Sequence, residues 1–146
     1  MNTLTYHFNV KVNYEKDRTG LMSSPVLNST IKVATPSAFP NGMEATWSPE
    51  HLLVAAVNSC LMTTFLAIAE KSKFPFAKFE SNADGKLEMV EGKYMISEIV
   101  LSPDLLIYKE ADREKALRLL QKSADTCLVS NSIKSKIIFI PDINVA

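Results

Sequence analysis

The sequence is poor in cysteine, carries no excess of charge of either sign and lacks the usual nucleotide signatures, and each absence removes a class of function. Sixteen Lys and Arg stand against sixteen Asp and Glu, a formal net charge of zero. No basic stripe with interleaved aromatics is present to neutralise a run of phosphates, so no nucleic-acid partner is expected. The two cysteines, Cys60 and Cys127, are too few and too far apart for the disulfide framework of a small secreted domain. In a reducing compartment such a pair is expected to bridge transiently, during chemistry, if it bridges at all. The stretch from Met1 to Val10 has neither a basic start nor an uninterrupted apolar run, so it does not read as a secretory signal, and the cytosol is the expected location. There is no phosphate loop, dinucleotide fingerprint or Ser-centred elbow. His7, His51 and the two cysteines match no zinc spacing, so neither a metal nor a bound cofactor is expected. No repeat, low-complexity tract or linker interrupts the 146 residues, and residues 1–146 read as a single domain with one core.

What is present alternates between strand and helix signals. From Thr5 to Tyr14, Tyr6, Phe8, Val10, Val12 and Tyr14 alternate with polar residues, the pattern of a half-buried strand. Asp17-Arg18-Thr19-Gly20 reads as a turn, and Leu21 to Val33 as short extended segments broken by Ser23-Ser24-Pro25. Thr35 to Thr46, with two prolines and Asn41-Gly42, is the longest expected loop. Ser48-Pro49-Glu50 is the clearest helix start, with Ser48 as cap, Pro49 at the first helical position and Glu50 at the positive helix end. That helix is expected to run to about Lys71. It holds no charge between Leu52 and Ala69 and is apolar on every face except around Asn58, Ser59, Thr63 and Thr64. Its length just admits a membrane span, but those polar side chains and the strand-like flanks favour a buried core helix, with no membrane partner.

Lys78 to Met89 and Lys93 to Ile107 read as two strands joined near Glu91-Gly92. A second, amphipathic helix is expected from about Glu110, with Leu117, Leu120, Ala124 and Cys127 or Leu128 on one face. Ser130-Asn131 opens a short turn, and Lys136 to Ile140 is a last strand ahead of Pro141. Strands, buried helix, strands, helix and strand in that order make an α+β fold.

No single residue identifies the chemistry. Cys60, alone on an apolar helix, has an ordinary explanation as a small core residue, and burial would raise its thiol pKa and make it inert. For it to act as a nucleophile a cation has to be brought to it. Arg18, in a turn and permanently charged, is the candidate, although an exposed loop arginine needs no function. The helix dipole alone would justify Glu50. His7 falls on the polar face of a strand, and His51 has no partner at ligand spacing.

Taken together, the residues resemble one family. Thr46-Trp47-Ser48-Pro49-Glu50-His51-Leu52 through Val57-Asn58-Ser59-Cys60 is similar to the (Ser/Asn)-Pro-Glu-x-Leu…Cys helix of the OsmC/Ohr proteins, the osmotically inducible and organic hydroperoxide resistance family. Cys127-Leu128-Val129-Ser130-Asn131 resembles its Cys-Pro-x-Ser-Asn segment. Arg18 falls where the organic hydroperoxide resistance branch has its active-site arginine, so the resemblance spans essentially the whole chain. One departure is Leu128, which stands where the family usually has proline and implies a less rigid backbone beside Cys127.

The resemblance implies an intertwined homodimer, two small antiparallel sheets wrapped around paired central helices, with active sites at the interface. It implies a two-cysteine peroxidase for organic hydroperoxides, with Cys60 as attacking thiol, Cys127 as resolving thiol, Arg18 activating Cys60 and Glu50 orienting Arg18. An external dithiol reductant, lipoyl-type or similar, is then expected to recycle the enzyme. The residue types suit that chemistry: a thiolate attacks an O–O bond, a guanidinium lowers a thiol pKa and stabilises a departing alkoxide, and a second thiol traps the sulfenic acid before it oxidises further. Glu50 and Cys60 lie about 15 Å apart along one helix at 1.5 Å per residue. If both serve one site, they are expected to come from different chains. Two other readings stand beside the peroxidase: a non-catalytic module binding a lipid-like ligand, and a thiol redox sensor.

Overall fold

The structure, a computed structural model, describes residues 3–146; Met1 and Asn2, at the head of the segment read for a signal, lie outside them. The chain divides into two compact units, Met1–Leu52 and Leu53–Ala146.

The first unit is a three-stranded antiparallel sheet in the order β1 (Lys11–Lys16), β2 (Thr19–Ser23) and β3 (Ile31–Ala34). β1 and β2 are joined at Asp17-Arg18. Asp17 takes the left-handed conformation with φ 51°, the register shifts between Tyr14 and Lys16, and the Thr19 hydroxyl donates to the Lys16 carbonyl at 2.7 Å. Pro25, which has no N–H, follows just beyond β2 and keeps the hairpin from growing past the pair Lys11↔Ser23. This corrects the expected half-buried strand from Thr5 to Tyr14. Residues 3–10 form no strand, and Tyr6, Phe8, Val10, Val12 and Tyr14 are all exposed, Phe8 at 91%. The alternation was real, but among the described residues that segment pairs with no strand, and its contact with the sheet is the Ser24 hydroxyl donating to the Asn9 carbonyl at 2.7 Å. The loop after β3 is closed by Met43 N–H donating to the Thr35 carbonyl, and Ala34 N–H takes the Trp47 carbonyl at 2.8 Å.

Helix α1 (Pro49–Lys71) starts where the sequence indicated. The Ser48 hydroxyl accepts the His51 N–H at 3.1 Å, the N-cap bond, and also lies 2.6 Å from His51 Nδ1. His51, which had no assigned partner from sequence, is thus part of the cap, and its ring meets Trp47 edge-on.

In the second unit, Val57, Leu61, Phe65 and Ala69 recur every four residues and form the buried stripe of α1. They pack against β4 (Lys78–Val90) and β5 (Lys93–Ile107), an antiparallel pair whose turn has positive φ at both Glu91 (49°) and Gly92 (81°), the geometry that matches strand twist. Ile99, Leu101, Pro103, Leu105 and Ile107 alternate inward along β5. Gly85 of β4 sits beneath the helix: a Cβ there would lie 2.5 Å from the Val54 side chain. Helix α1 is long and apolar enough to cross a membrane by length and composition alone. Its stripe instead joins two clusters of this unit, one around Phe65, Phe74, Leu105 and Leu120, the other around Val57, Leu61, Ile99 and Leu101.

A short turn, Glu110–Asp112, leads into α2 (Arg113–Thr126), which buries Ala116, Leu120 and Ser123. Leu117, expected on the apolar face, is exposed; of the two alternatives at its end, Cys127 is fully buried and Leu128 is exposed. The helix ends at Thr126, one residue before Cys127, and extended backbone at Cys127 turns the next side chain outward.

β6 (Lys136–Phe139) was expected, but β7 (Asp142–Val145) was not, and both run parallel to β5 along one edge. The sheet is therefore mixed. Pro103 and Pro141 fall where β6 has ended and β7 has not begun, so neither missing N–H breaks the ladder.

Candidate functional site

The second unit brings Cys60 and Cys127 together. Cys60 lies one residue before Leu61 of the buried stripe and is only partly exposed. Cys127 arrives at the end of α2, where Thr126 and Ser123 turn their hydroxyls back onto the Lys122 and Leu119 carbonyls at 2.8 and 2.6 Å. Side chains that bond their own helix in this way loosen its last turn. The chain then curls into the turn Ser130–Ser132: Asn131 N–H donates to the Cys127 carbonyl at 3.1 Å, and the Ser132 hydroxyl donates to the Leu128 carbonyl at 2.9 Å. Both thiols are free.

Their electrostatics are unequal. Burial, the largest influence on Cys60, pushes its thiol up from the ordinary 9.0. The Val129 N–H, the Cys127 thiol, the Thr64 hydroxyl and the Leu128 N–H together outweigh it and bring the thiol below that value. Cys127 moves the other way. Burial raises it most, and although the hydroxyl and N–H of Ser130 oppose this, the hydrogen bond and charge of Cys60 raise it further. The Ser130 hydroxyl is buried and otherwise without a partner. A lowered thiol beside a raised one sets an order: Cys60 gives up its proton more readily than Cys127. The donors that offset burial at Cys60 include backbone amides, which no composition or spacing argument could have supplied. The signal that bore on them was the segment from Cys127 to Asn131.

The first unit brings Arg18 and Glu50 to one cavity of about 650 Å³. Arg18 is carried there by the β1–β2 turn and Glu50 by the first turn of α1, and Val12, Tyr14, Val33 and Phe39 make the remainder largely apolar. Arg18 is exposed. One carboxylate oxygen of Glu50 is buried without a hydrogen-bond partner, and among the described residues no ion pair joins it to Arg18. A buried carboxylate oxygen left unpaired is costly and stands ready to accept a hydrogen bond. His7 lies exposed ahead of β1. Among the described residues, no three His, Cys, Asp or Glu side chains cluster as metal ligands.

An α+β fold with a long apolar helix against a sheet, and a reduced dithiol at the helix surface, defines a thiol-bearing domain of one known architecture. Residues 41–140 match the model of the OsmC-like protein family, and the chain belongs to that family. It is 21% identical over 135 residues to the uncharacterized protein YmaD of Bacillus subtilis (strain 168), covering 90% of this chain and 89% of that one. Among solved structures it is similar to an OsmC-like protein of unknown function from Vibrio cholerae O1 biovar eltor, with TM-score 0.84 and 21% identity over 94% of this chain and 99% of that one. It is also similar to an organic hydroperoxide resistance protein from Elizabethkingia anophelis, with TM-score 0.77 and 20% identity over the whole of both chains. At these identities the solved structures speak to the fold.

Proposed function

We propose that this protein is a thiol-dependent peroxidase that reduces organic hydroperoxides to alcohols in the cytosol. The observation that carries this reading is the unequal dithiol: a lowered Cys60 beside a raised Cys127. The Cys60 thiolate attacks the terminal peroxide oxygen, the O–O bond breaks, and the alkoxide leaves and takes a proton. Cys60 is then a sulfenic acid. The Cys127 sulfur attacks the Cys60 sulfur, its proton and the sulfenic hydroxyl leave as water, and a disulfide remains. An external dithiol, lipoyl-type or similar, returns both residues to thiols by exchange.

The working protein in this reading is a homodimer. Helix α1 is unbroken from Glu50 to Cys60, which separates the two backbones by about 15 Å along its axis. Arg18 and Glu50 of one protomer therefore serve Cys60 of its partner, with Glu50 orienting Arg18 and the guanidinium stabilising thiolate and alkoxide. The apolar walls around Arg18 suit an organic peroxide's tail. The exposed row from Tyr6 to Tyr14 is the surface a second copy would cover.

The test is consumption of cumene hydroperoxide against hydrogen peroxide, with several dithiols, by wild type and Cys60→Ser. Wild type is expected to consume cumene hydroperoxide faster, and Cys60→Ser to fall to background with its circular dichroism unchanged. Near-wild-type turnover by Cys60→Ser removes Cys60 from the mechanism. The apolar cavity also supports a second reading, a binder of lipid-like ligands. That reading predicts binding that Cys60→Ser leaves intact, with no peroxide consumption by wild type.

A further inference from the structure

Four polar side chains interrupt the apolar run of α1: Asn58, Ser59, Thr63 and Thr64. Three of them donate to backbone carbonyls. The Asn58 amide reaches the Ser81 oxygen at 2.8 Å, the Ser59 hydroxyl that of Ala56 at 3.3 Å and the Thr63 hydroxyl that of Cys60 at 3.2 Å. Thr64 is the exception. A helical threonine can turn its hydroxyl back onto the carbonyl four residues earlier, which here is that of Cys60. That oxygen has two lone pairs, and the Thr64 N–H along the helix and the Thr63 hydroxyl already take them. The Thr64 hydroxyl lies instead 3.9 Å from the Cys60 sulfur, its one side-chain partner among the described residues.

The two residues sit one turn apart on a single helix, so the helix itself holds them together. Both are half-buried, where less water competes for the sulfur. While Cys60 is protonated, either atom can be the donor. Once Cys60 ionises, the sulfur can only accept and the hydroxyl has to donate. Hydrogen bonds to ionised groups are about twice as strong as neutral ones, so the contact favours the thiolate over the thiol. The direction in which Cys60 moves agrees, since the Thr64 hydroxyl is among the groups that hold its thiol below 9.0 against burial.

We propose that Thr64 is a further residue of the reactive thiol: its hydroxyl donates to the Cys60 thiolate and enlarges the share of Cys60 that is ionised at neutral pH. The proposal rests on the reading of Cys60 as the nucleophile. Thr64 acts beside Arg18 and not in its place. In that reading the guanidinium brings charge from the partner protomer, while the hydroxyl brings a directed donor from the same helix as the sulfur.

The experiment is the rate of iodoacetamide alkylation at Cys60, followed against pH by peptide mass spectrometry in the full-length reduced protein. Thr64→Val keeps the branched shape and deletes the hydroxyl; it should alkylate about threefold more slowly at neutral pH. The two rates should meet or cross above the ordinary thiol range, where every thiol is ionised and a sulfur without the donor is the stronger nucleophile. Thr64→Ser, which keeps a hydroxyl, should stay near wild type, and so should Thr63→Val, whose lost hydroxyl served a carbonyl. If circular dichroism shows that Thr64→Val is unfolded, Thr64→Ser against Thr64→Ala decides, a pair that differs by the hydroxyl alone. A wild-type pH profile in Thr64→Val overturns the proposal, and so does equal slowing in Thr64→Ser or Thr63→Val, which would trace the effect to packing. Because alkylation needs no peroxide, consumption of cumene hydroperoxide by wild type tests the peroxidase reading separately. Hydroxyl dependence without consumption sinks that reading and keeps Thr64 as the thiolate's donor, whereas consumption without hydroxyl dependence sinks the donor alone.

Discussion

The two units of the chain use apolar residues in opposite ways. In residues 53–146 they are enclosed: Phe65, Leu101, Leu105, Ile107 and Leu120 are fully buried around α1, β5 and α2. In the described part of residues 1–52 the buried apolar side chain is Ala34, while Tyr6, Phe8, Val10, Val12 and Tyr14 lie open. The chemistry divides in the same way. The dithiol, with the amides and hydroxyls that tune it, is complete within the second unit, whereas Arg18 and Glu50 share a cavity in the first with a carboxylate oxygen unpaired. The second unit holds an enclosed core, whereas the first leaves most of its large apolar side chains open. The contrast teaches that a small sheet of three short strands has too little area to enclose a core of its own.

The largest effect expected from breaking this contrast is on activity. Glu50→Ala and Cys60→Ser homodimers should each be nearly inactive, but hybrids of the two should regain about half of wild-type activity. In the hybrid one site lacks both residues and the other pairs an intact Glu50 with an intact Cys60. A hybrid that stays inactive, after mass spectrometry has verified its formation, places each site within one chain.

Stability should separate the units next. Phe65→Ala removes a fully buried ring and should cost about 3–5 kcal/mol in chemical denaturation. Phe8→Asp changes a ring that is 91% exposed. It should leave the unfolding of dilute protein near wild type while abolishing the rise of the midpoint with protein concentration that an associating chain shows. Equal losses from the two variants would mean Phe8 packs into the chain's own fold.

The ordering of the thiols sharpens the same picture. Cys60 lies below 9.0 and Cys127 above it, so as pH falls from 9 the thiolate survives longer at Cys60. Iodoacetamide at neutral pH should mark Cys60 before Cys127, and labelling of Cys127 should catch up only above the ordinary thiol range. For stability the signs oppose. A depressed Cys60 contributes as pH rises from its folded value toward 9.0, and a raised Cys127 withdraws its contribution as pH climbs from 9.0 to its own higher value. Cys127→Ser should react once with peroxide and then accumulate oxygen additions on Cys60. Sustained dithiol-driven turnover by that variant would make Cys127 a bystander.

The smallest effect belongs to the start of α1. Ser48→Ala deletes the cap bond to His51 N–H and should cost roughly 1 kcal/mol, read as a small shift in thermal midpoint. Ser48→Asp, which restores an acceptor, should recover part of it.

Much of this protein is legible in its residues. Ser48-Pro49-Glu50 marks a helix start because caps and proline act locally, and Glu91-Gly92 marks a tight hairpin because few residues tolerate positive φ at both positions. That Cys60 and Cys127 lie near enough to influence one another was legible only through resemblance, since neither cysteine is distinctive alone. Other features were not. The alternation from Tyr6 to Tyr14 does not tell where pairing begins, which is at Lys11, and β7 is held by parallel pairing with β5, a contact between residues about 40 positions apart. The choice between Cys127 and Leu128 for the buried side was open because the helix ends at Thr126, where 3.6-residue periodicity stops applying. The thiol order was least accessible of all. Sequence determined that two cysteines, an arginine and a glutamate are available on a helix-and-sheet scaffold. Tertiary structure alone decided the order of the two thiols, because burial and the hydrogen-bonding groups gathered around each sulfur depend on how the chain folds and not on the residue type.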